Sequence, residues 1–90
     1  MNNFYCIHII PKQGIPYFLI EKTFNQALDW LRITENFWIV YTNSNAATWQ
    51  KRLLKHVQNG GELFICKLDV KDRQGWITKV VWEWLNRPRI

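Results

Sequence analysis

Carboxylates are scarce in this chain, and none occurs before Glu21. A hard divalent cation takes oxygen ligands, chiefly carboxylates, so the N-terminal segment offers no site for such an ion. Only two cysteines are present, Cys6 and Cys66, and no C-x-x-C pair occurs. This argues against both a zinc site and a disulfide framework. Free thiols in apolar segments are usually small buried hydrophobes.

Long apolar runs are absent as well. No stretch approaches the roughly 20 residues that a helix needs to cross a bilayer. The N-terminus, MNNFYCIHII, lacks the basic start and small-residue cleavage site of a signal peptide. We therefore expect a cytoplasmic protein without membrane contact, in a reducing compartment where cysteines stay free.

Aromatic residues are abundant. Six Trp, three Tyr and five Phe contribute to a hydrophobic fraction of 48% in 90 residues. Each aromatic side chain carries about 150–250 Å² of surface. Together these side chains have more surface than one small core easily buries. A domain of this size is also near the limit at which a single core is stable alone. We therefore expect a homodimer with some tryptophans in its interface.

Basic residues outnumber acidic ones. Twelve Lys and Arg against seven Asp and Glu give a formal net charge of +5. That balance is compatible with a polyanionic partner such as RNA or DNA. The positive net charge alone does not indicate such a partner, because soluble proteins generally keep their net charge away from zero.

A hairpin followed by a helix is the clearest local pattern. Trp30–Ile33 and Phe37–Thr42 are apolar segments separated by Thr34-Glu35-Asn36, which predicts two strands and a tight turn. Any of Asn43, Ser44 and Asn45 can cap a helix that runs to about Gln58. Asn59-Gly60-Gly61 predicts its left-handed C-terminal cap.

Two further strands and a final helix are predicted around this unit. The strands are Phe4–Ile10 and Leu63–Val70, and the helix is Trp76–Leu85. The stretch Ile15–Leu28 has two interpretations. Apolar residues at three- and four-residue spacing favour a single helix with Pro16 in its first turn. Alternatively, Tyr17–Ile20 forms a strand, and a capping box at Thr23 begins a short helix.

The order β-α-β-β-α-β-α over residues 1–90 predicts one α+β domain. It corresponds to a ferredoxin-like fold with a four-stranded antiparallel sheet and an additional C-terminal helix. Apolar residues occur at both parities in Phe4–Ile10 and in Leu63–Val70, so both sheet faces are predicted to be apolar. Two helices cover one face. The helix Trp76–Leu85, a second subunit, or both must cover the other.

Four segments carry a resemblance to a known family. They are DWLRITENFWIV (Asp29–Val40), SNAATWQKRLLKHV (Ser44–Val57), ELFICKL (Glu62–Leu68) and WEWL (Trp82–Leu85). The chain resembles the small SinR-like proteins, of the ferredoxin-fold group that includes the CRISPR adaptation nuclease family and the VapD-type ribonucleases. The resemblance implies a homodimer and a prokaryotic or phage defence context. In nuclease members it also implies a metal-binding aspartate at the end of the first strand.

The chain departs from the nuclease pattern at that position, where the strand ends His8-Ile9-Ile10-Pro11. Metal-assisted cleavage needs a cation to organise the nucleophile, and isoleucine cannot hold one. We therefore expect no catalytic residue, no metal and no cofactor, and a non-catalytic binding or regulatory module. The enzymatic alternative is a metal-independent endoribonuclease that uses His8 as general acid–base; a packed structural histidine is the plainer interpretation.

Binding candidates come from charges and tryptophans. Lys51, Arg52, Lys55 and Arg87 are candidates for contacts with nucleic-acid phosphates, although cations near a helix C-terminus also occur on plain solvated faces. The interface candidates are Trp49, Trp76, Trp82 and Trp84, for which core packing is the competing explanation. Exposed tryptophans also suit a protein–protein inhibitor, either antitoxin-like or for phage counter-defence.

Overall fold

Residues 1–89, which a computed structural model describes, form four strands and three helices. The strands are β1 (Asn3–Ile10), β2 (Asp29–Thr34), β3 (Phe37–Thr42) and β4 (Glu62–Leu68), and the helices are α1 (Tyr17–Phe24), α2 (Ala46–Val57) and α3 (Lys79–Asn86). All neighbouring strands are antiparallel, in the order β2-β3-β1-β4. The predicted α+β class, the four-stranded antiparallel sheet and the additional C-terminal helix are confirmed.

The ambiguous stretch contains one helix, α1, and no hairpin. Its predicted extension to Leu28 is wrong, because the Leu28 N–H donates to the Tyr41 carbonyl (2.9 Å) and the chain has already joined the sheet. The predicted capping box is wrong as well. Thr23 lies in the last turn of α1, where its hydroxyl donates to the Leu19 carbonyl at 3.2 Å.

The ends of α2 follow from local chemistry. Asn45 is its N-cap, and the side-chain oxygen accepts from the Thr48 N–H at 2.9 Å. At the other end, the left-handed residue is Asn59 (φ 66°) rather than a glycine. Gly61 meets a different requirement, since a Cβ there would lie 2.3 Å from the carbonyl oxygen of Ile10.

The last strand and helix are both displaced from their predicted bounds. β4 ends at Leu68 rather than Val70, because Leu68 already faces Phe4 near the beginning of β1. α3 begins at Lys79, after an extended Thr78 (ψ 148°), and so leaves Trp76 outside the helix.

The core lies between the sheet and the two helices α1 and α2. We call this side of the sheet the helix face. Its buried residues come from the sheet, from α1 and from α2: Tyr5, Ile7, Ile9, Ile20, Phe24, Trp38, Val40, Trp49, Leu53 and Val57. At about 1.5–3 kcal/mol for a fully buried large apolar side chain, this cluster is the main stabilising element of the fold.

The opposite side of the sheet, the second face, is covered only in part. α3 buries Val81 and Trp84 against it, and the Trp84 ring meets Phe4 edge-on with centroids 5.8 Å apart. Farther along β1 and β4, Ile10 and Phe64 stay exposed, Phe64 to 65%. We call the part of the second face around Ile10 and Phe64 the uncovered patch.

Candidate functional site

The outer surface of α2 carries three cationic side chains. Lys51 and Lys55 are exposed, and Arg52 is half-buried with its guanidinium 4.7 Å from the centre of the Trp49 ring. α2 contains no acidic residue. Within residues 1–89, no carboxylate lies within salt-bridge distance of these three cations. The charges of Lys51 and Lys55 are therefore available to an external anion, whereas the Arg52 guanidinium, with its Nη1 buried, is available in part.

A neighbouring histidine is affected by positive charges near α2. His56 is buried, with Nε2 lying 3.3 Å from the Thr23 hydroxyl. Burial lowers the pKa of His56, and the charges of Lys55 and Lys12 lower it further. Lys12 is held beside α2 because its backbone N–H donates to the His56 carbonyl at 2.8 Å.

The backbone of Lys12 therefore lies at the C-terminal end of α2, and we group Lys12 with the three cations of α2 as the basic face (Lys12, Lys51, Arg52 and Lys55). Sequence reasoning missed Lys12. It lies in the turn after β1, far from α2 in sequence, and no local pattern links the two segments.

The fourth predicted phosphate ligand lies elsewhere. Arg87 Nη1 is 3.5 Å from Asp29 Oδ2, and the register pairs Asp29 with Tyr41 on the second face. Arg89 reaches the same carboxylate oxygen at 3.2 Å. The structure thus does not bring Arg87 together with Lys51, Arg52 and Lys55.

The four interface tryptophans differ sharply in exposure. Trp49 and Trp84 are buried in the protomer, so neither ring is available to a partner chain in this fold. Trp82 is half-buried, with the guanidinium of Arg73 5.5 Å from its ring centre. Trp76 is fully exposed and could contact a partner.

His8 has a carboxylate partner that the sequence did not reveal. Its Nε2 lies 3.2 Å from Glu62 Oε1, on the second face, because β4 runs antiparallel beside β1. Both side chains are substantially exposed, so water screens this pair and it contributes little stability. Among residues 1–89, no three His, Cys, Asp or Glu side chains lie together in a way that could hold a metal ion.

An open groove lies between α2 and the edge strand β4. Its volume is about 610 Å³, and its apolar lining includes Leu54, Val57, Leu63, Phe64 and Ile65. Phe64 belongs to the uncovered patch as well, so the groove continues toward the second face around the edge of the sheet.

No protein-family model, curated protein or solved structure matches this chain. None of the helices within residues 1–89 has the length and apolar character that a bilayer crossing requires.

Proposed function

We propose that this chain is a non-catalytic binding module with a ferredoxin-like fold, whose basic face contacts the phosphate backbone of RNA or DNA. The observation that carries the proposal is the set of three α2 cations without a carboxylate partner among residues 1–89. The strand order β2-β3-β1-β4 supports the ferredoxin-like arrangement. The resemblance to the SinR-like proteins supports a role in prokaryotic or phage defence.

The two kinds of cation act differently. Lys51 and Lys55 are exposed point charges on flexible stems, which suits contact with any phosphate oxygen. Arg52 is oriented by its stacking on Trp49, so less conformational freedom is lost when it binds. Because Trp49 itself is buried, its ring cannot stack on a base. Recognition through this surface is therefore of the backbone, without base-specific readout.

Salt-dependent binding tests the proposal directly. We expect purified protein to bind fluorescently labelled single-stranded RNA or duplex DNA, with an affinity that falls steeply as salt rises. Each phosphate contact contributes about 0.7–0.9 to the slope of log affinity against log salt. The double variant Lys51→Ala, Lys55→Ala should weaken binding and reduce that slope by about 1.5.

The matched control replaces two exposed lysines away from α2, Lys71→Ala with Lys79→Ala. This control removes the same net charge and should change binding much less. Affinity that is independent of salt, or equal losses in the two double variants, would refute contact through the basic face.

We further propose that the module is a homodimer formed through the uncovered patch. The protomer exposes 6184 Å², about a tenth more than the roughly 5,600 Å² expected for a compact monomer of its mass. A second copy would cover the apolar surface around Phe64 and Ile10. Both dimerisation and the ferredoxin-like fold are also implied by the family resemblance.

The test is molar mass by light scattering. Phe64→Glu should convert a dimer to a monomer, because it places a charge in the contact. Phe18→Glu is the control, since Phe18 is equally exposed, at 65%, but lies on α1. A monomeric wild-type protein, or a Phe64→Glu variant that remains dimeric, would contradict this interface.

The pairing of His8 with Glu62 favours one second candidate, a metal-independent endoribonuclease. Here His8 would act as general acid–base and the Glu62 carboxylate would orient its ring. RNA cleavage should then persist with a chelator and be lost in both His8→Ala and Glu62→Gln. Equal cleavage by the wild type and His8→Ala would identify a contaminating nuclease.

A further inference from the structure

The two cysteines, far apart in sequence, face each other in the sheet. Cys6 of β1 and Cys66 of β4 are direct partners in the antiparallel register, and both are free thiols. Directly opposed residues project on the same side of a sheet, with Cα atoms about 4.5–5.5 Å apart. A disulfide requires Cα atoms about 4.4–6.8 Å apart. The Cα separation of this pair therefore falls within the range of disulfides.

The hydrogen-bond pattern identifies which type of pair this is. The Ile9 N–H donates to the Asn36 carbonyl at 2.9 Å, so Ile9 directs its backbone groups toward β3. Alternate residues of a strand direct their backbone groups to opposite sides, so Cys6 directs its groups toward β4. Cys6 and Cys66 therefore occupy a hydrogen-bonded position, where the Cα separation is about 5.5 Å, close to the commonest value for disulfides.

The thiols are also accessible. Cys66 is exposed and Cys6 half-buried, and their neighbours on the second face include His8 and Phe64 of the uncovered patch. Burial raises the pKa of the Cys6 thiol, and the nearby Cys66 raises it further. Cys66 is therefore the thiol that reacts first with a reagent in solution.

We propose that Cys6 and Cys66 form a reversible redox site that closes to an intramolecular disulfide by exchange with small-molecule disulfides. The Cys66 thiolate attacks one sulfur of the reagent disulfide and forms a mixed disulfide with it, and the S–S bond of the reagent breaks. One reagent thiolate leaves and takes up the proton that Cys66 lost. The Cys6 thiolate then attacks the sulfur of Cys66 in the mixed disulfide and expels the second reagent thiol. The protein is oxidised by two electrons, and the reagent is reduced to two thiols.

The bond would join two strands that already pair, so the fold is retained while the edge strand β4 is tied to β1. At a hydrogen-bonded position the Cβ atoms lie toward the upper end of about 4.5–5.5 Å, beyond the roughly 3.5–4.5 Å of a relaxed disulfide, so closing the bond must draw the two strands together and strain it. Strained or exposed disulfides are the more easily reduced ones. The site is therefore suited to reversible switching rather than to permanent stabilisation.

The test exposes folded protein to oxidised glutathione and then measures intact mass and thiol content after denaturation. We expect the wild-type mass to fall by two hydrogens, both thiols to resist alkylation, and dithiothreitol to restore them. Cys6→Ser and Cys66→Ser should each stop at a mixed disulfide carrying one glutathione. Cys66→Ser should react more slowly, since its remaining thiol is half-buried.

Two outcomes would overturn the proposal. The first is a wild-type protein that accumulates glutathione adducts without closing, which would show that the strands hold the thiols apart. The second is an intermolecular disulfide as the main product, visible on a non-reducing gel.

Backbone hydrogen exchange gives an independent readout, because closure should slow exchange at the β4 amides of the oxidised protein relative to the reduced one.

Discussion

The imidazole of His56 meets the hydroxyl of Thr23 at 3.3 Å, in a buried contact that joins α2 to α1. The Thr23 hydroxyl also lies at hydrogen-bond distance from the Leu19 carbonyl. Each of the two helices thus has a buried polar side chain with a partner at hydrogen-bond distance. Burial disfavours a positive charge on His56, and the charges of Lys55 and Lys12 disfavour it further, so the pKa of the ring is lowered.

The stability of the protein should therefore depend on pH through His56. In the unfolded chain its pKa is about 6.5, whereas in the folded protein it is lower. The unfolded state thus binds the proton more readily, and stability is lost as pH falls from about 6.5 through the lowered folded value. We expect the thermal midpoint to drop between pH 7.5 and pH 5.

His56→Gln is the matched variant, since it keeps a polar group toward Thr23 and cannot titrate. Its midpoint should vary less over the same range. If the two pH profiles superimpose, His56 does not control the acid sensitivity.

Arg89 should stabilise the contact between the C-terminal segment and the second face. Its guanidinium lies 4.4–5.2 Å from the ring centres of Trp84, Phe4 and Tyr41, and 3.2 Å from Asp29. Removing a desolvated cation with both kinds of contact should cost about 2 kcal/mol. We expect Arg89→Ala to lower the free energy of unfolding in urea by that amount.

Arg87→Ala provides the comparison, because Arg87 pairs with the same Asp29 from a more exposed position. An exposed ion pair contributes about 0–1 kcal/mol. If the two variants lose equal stability, the aromatic rings around Arg89 add nothing to the ion pair.

Gly61 should tolerate no side chain. A Cβ at this position would lie 2.3 Å from the Ile10 carbonyl oxygen and 3.0 Å from the Lys12 nitrogen. Both contacts are with backbone, which cannot move without disturbing the end of β1. We expect Gly61→Ala to cost about 1–3 kcal/mol. Gly60→Ala meets only the Lys12 side chain, at 3.3 Å, and should change the urea midpoint little; similar losses in both variants would contradict this account.

The elements predicted best from sequence are those whose signals are local. The turn between β2 and β3 and the cap of α2 depend on residues within a few positions of each other, such as Asn45 and Thr48. The end of α1 and the end of β4 could not be obtained in this way. Each is decided by a partner distant in sequence, Tyr41 for Leu28 and Phe4 for Leu68.

The same distinction between local signals and partners distant in sequence applies to the candidate surfaces. The cations of α2 could be predicted because they share one helix. The pairing of His8 with Glu62 and of Cys6 with Cys66 depends on the register between β1 and β4. Strand parity predicts which face a residue takes, but a shift of two residues in register preserves parity and changes every partner. No local pattern in this chain fixes that shift.

Arg52 should contribute to both stability and binding, whereas Lys51 should contribute to binding alone. The guanidinium of Arg52 packs on the Trp49 ring, and losing that contact should cost about 1 kcal/mol. Lys51 is exposed and makes no such contact among residues 1–89. We expect Arg52→Gln to lower the urea midpoint and Lys51→Gln to leave it unchanged.

In the binding assay, each of these two substitutions removes one positive charge from the basic face. Both should reduce the salt slope by about 0.7–0.9 if both residues contact phosphate. A loss of slope in Lys51→Gln alone would show that Arg52 serves packing only. A loss in neither would show that the phosphate contacts lie outside α2.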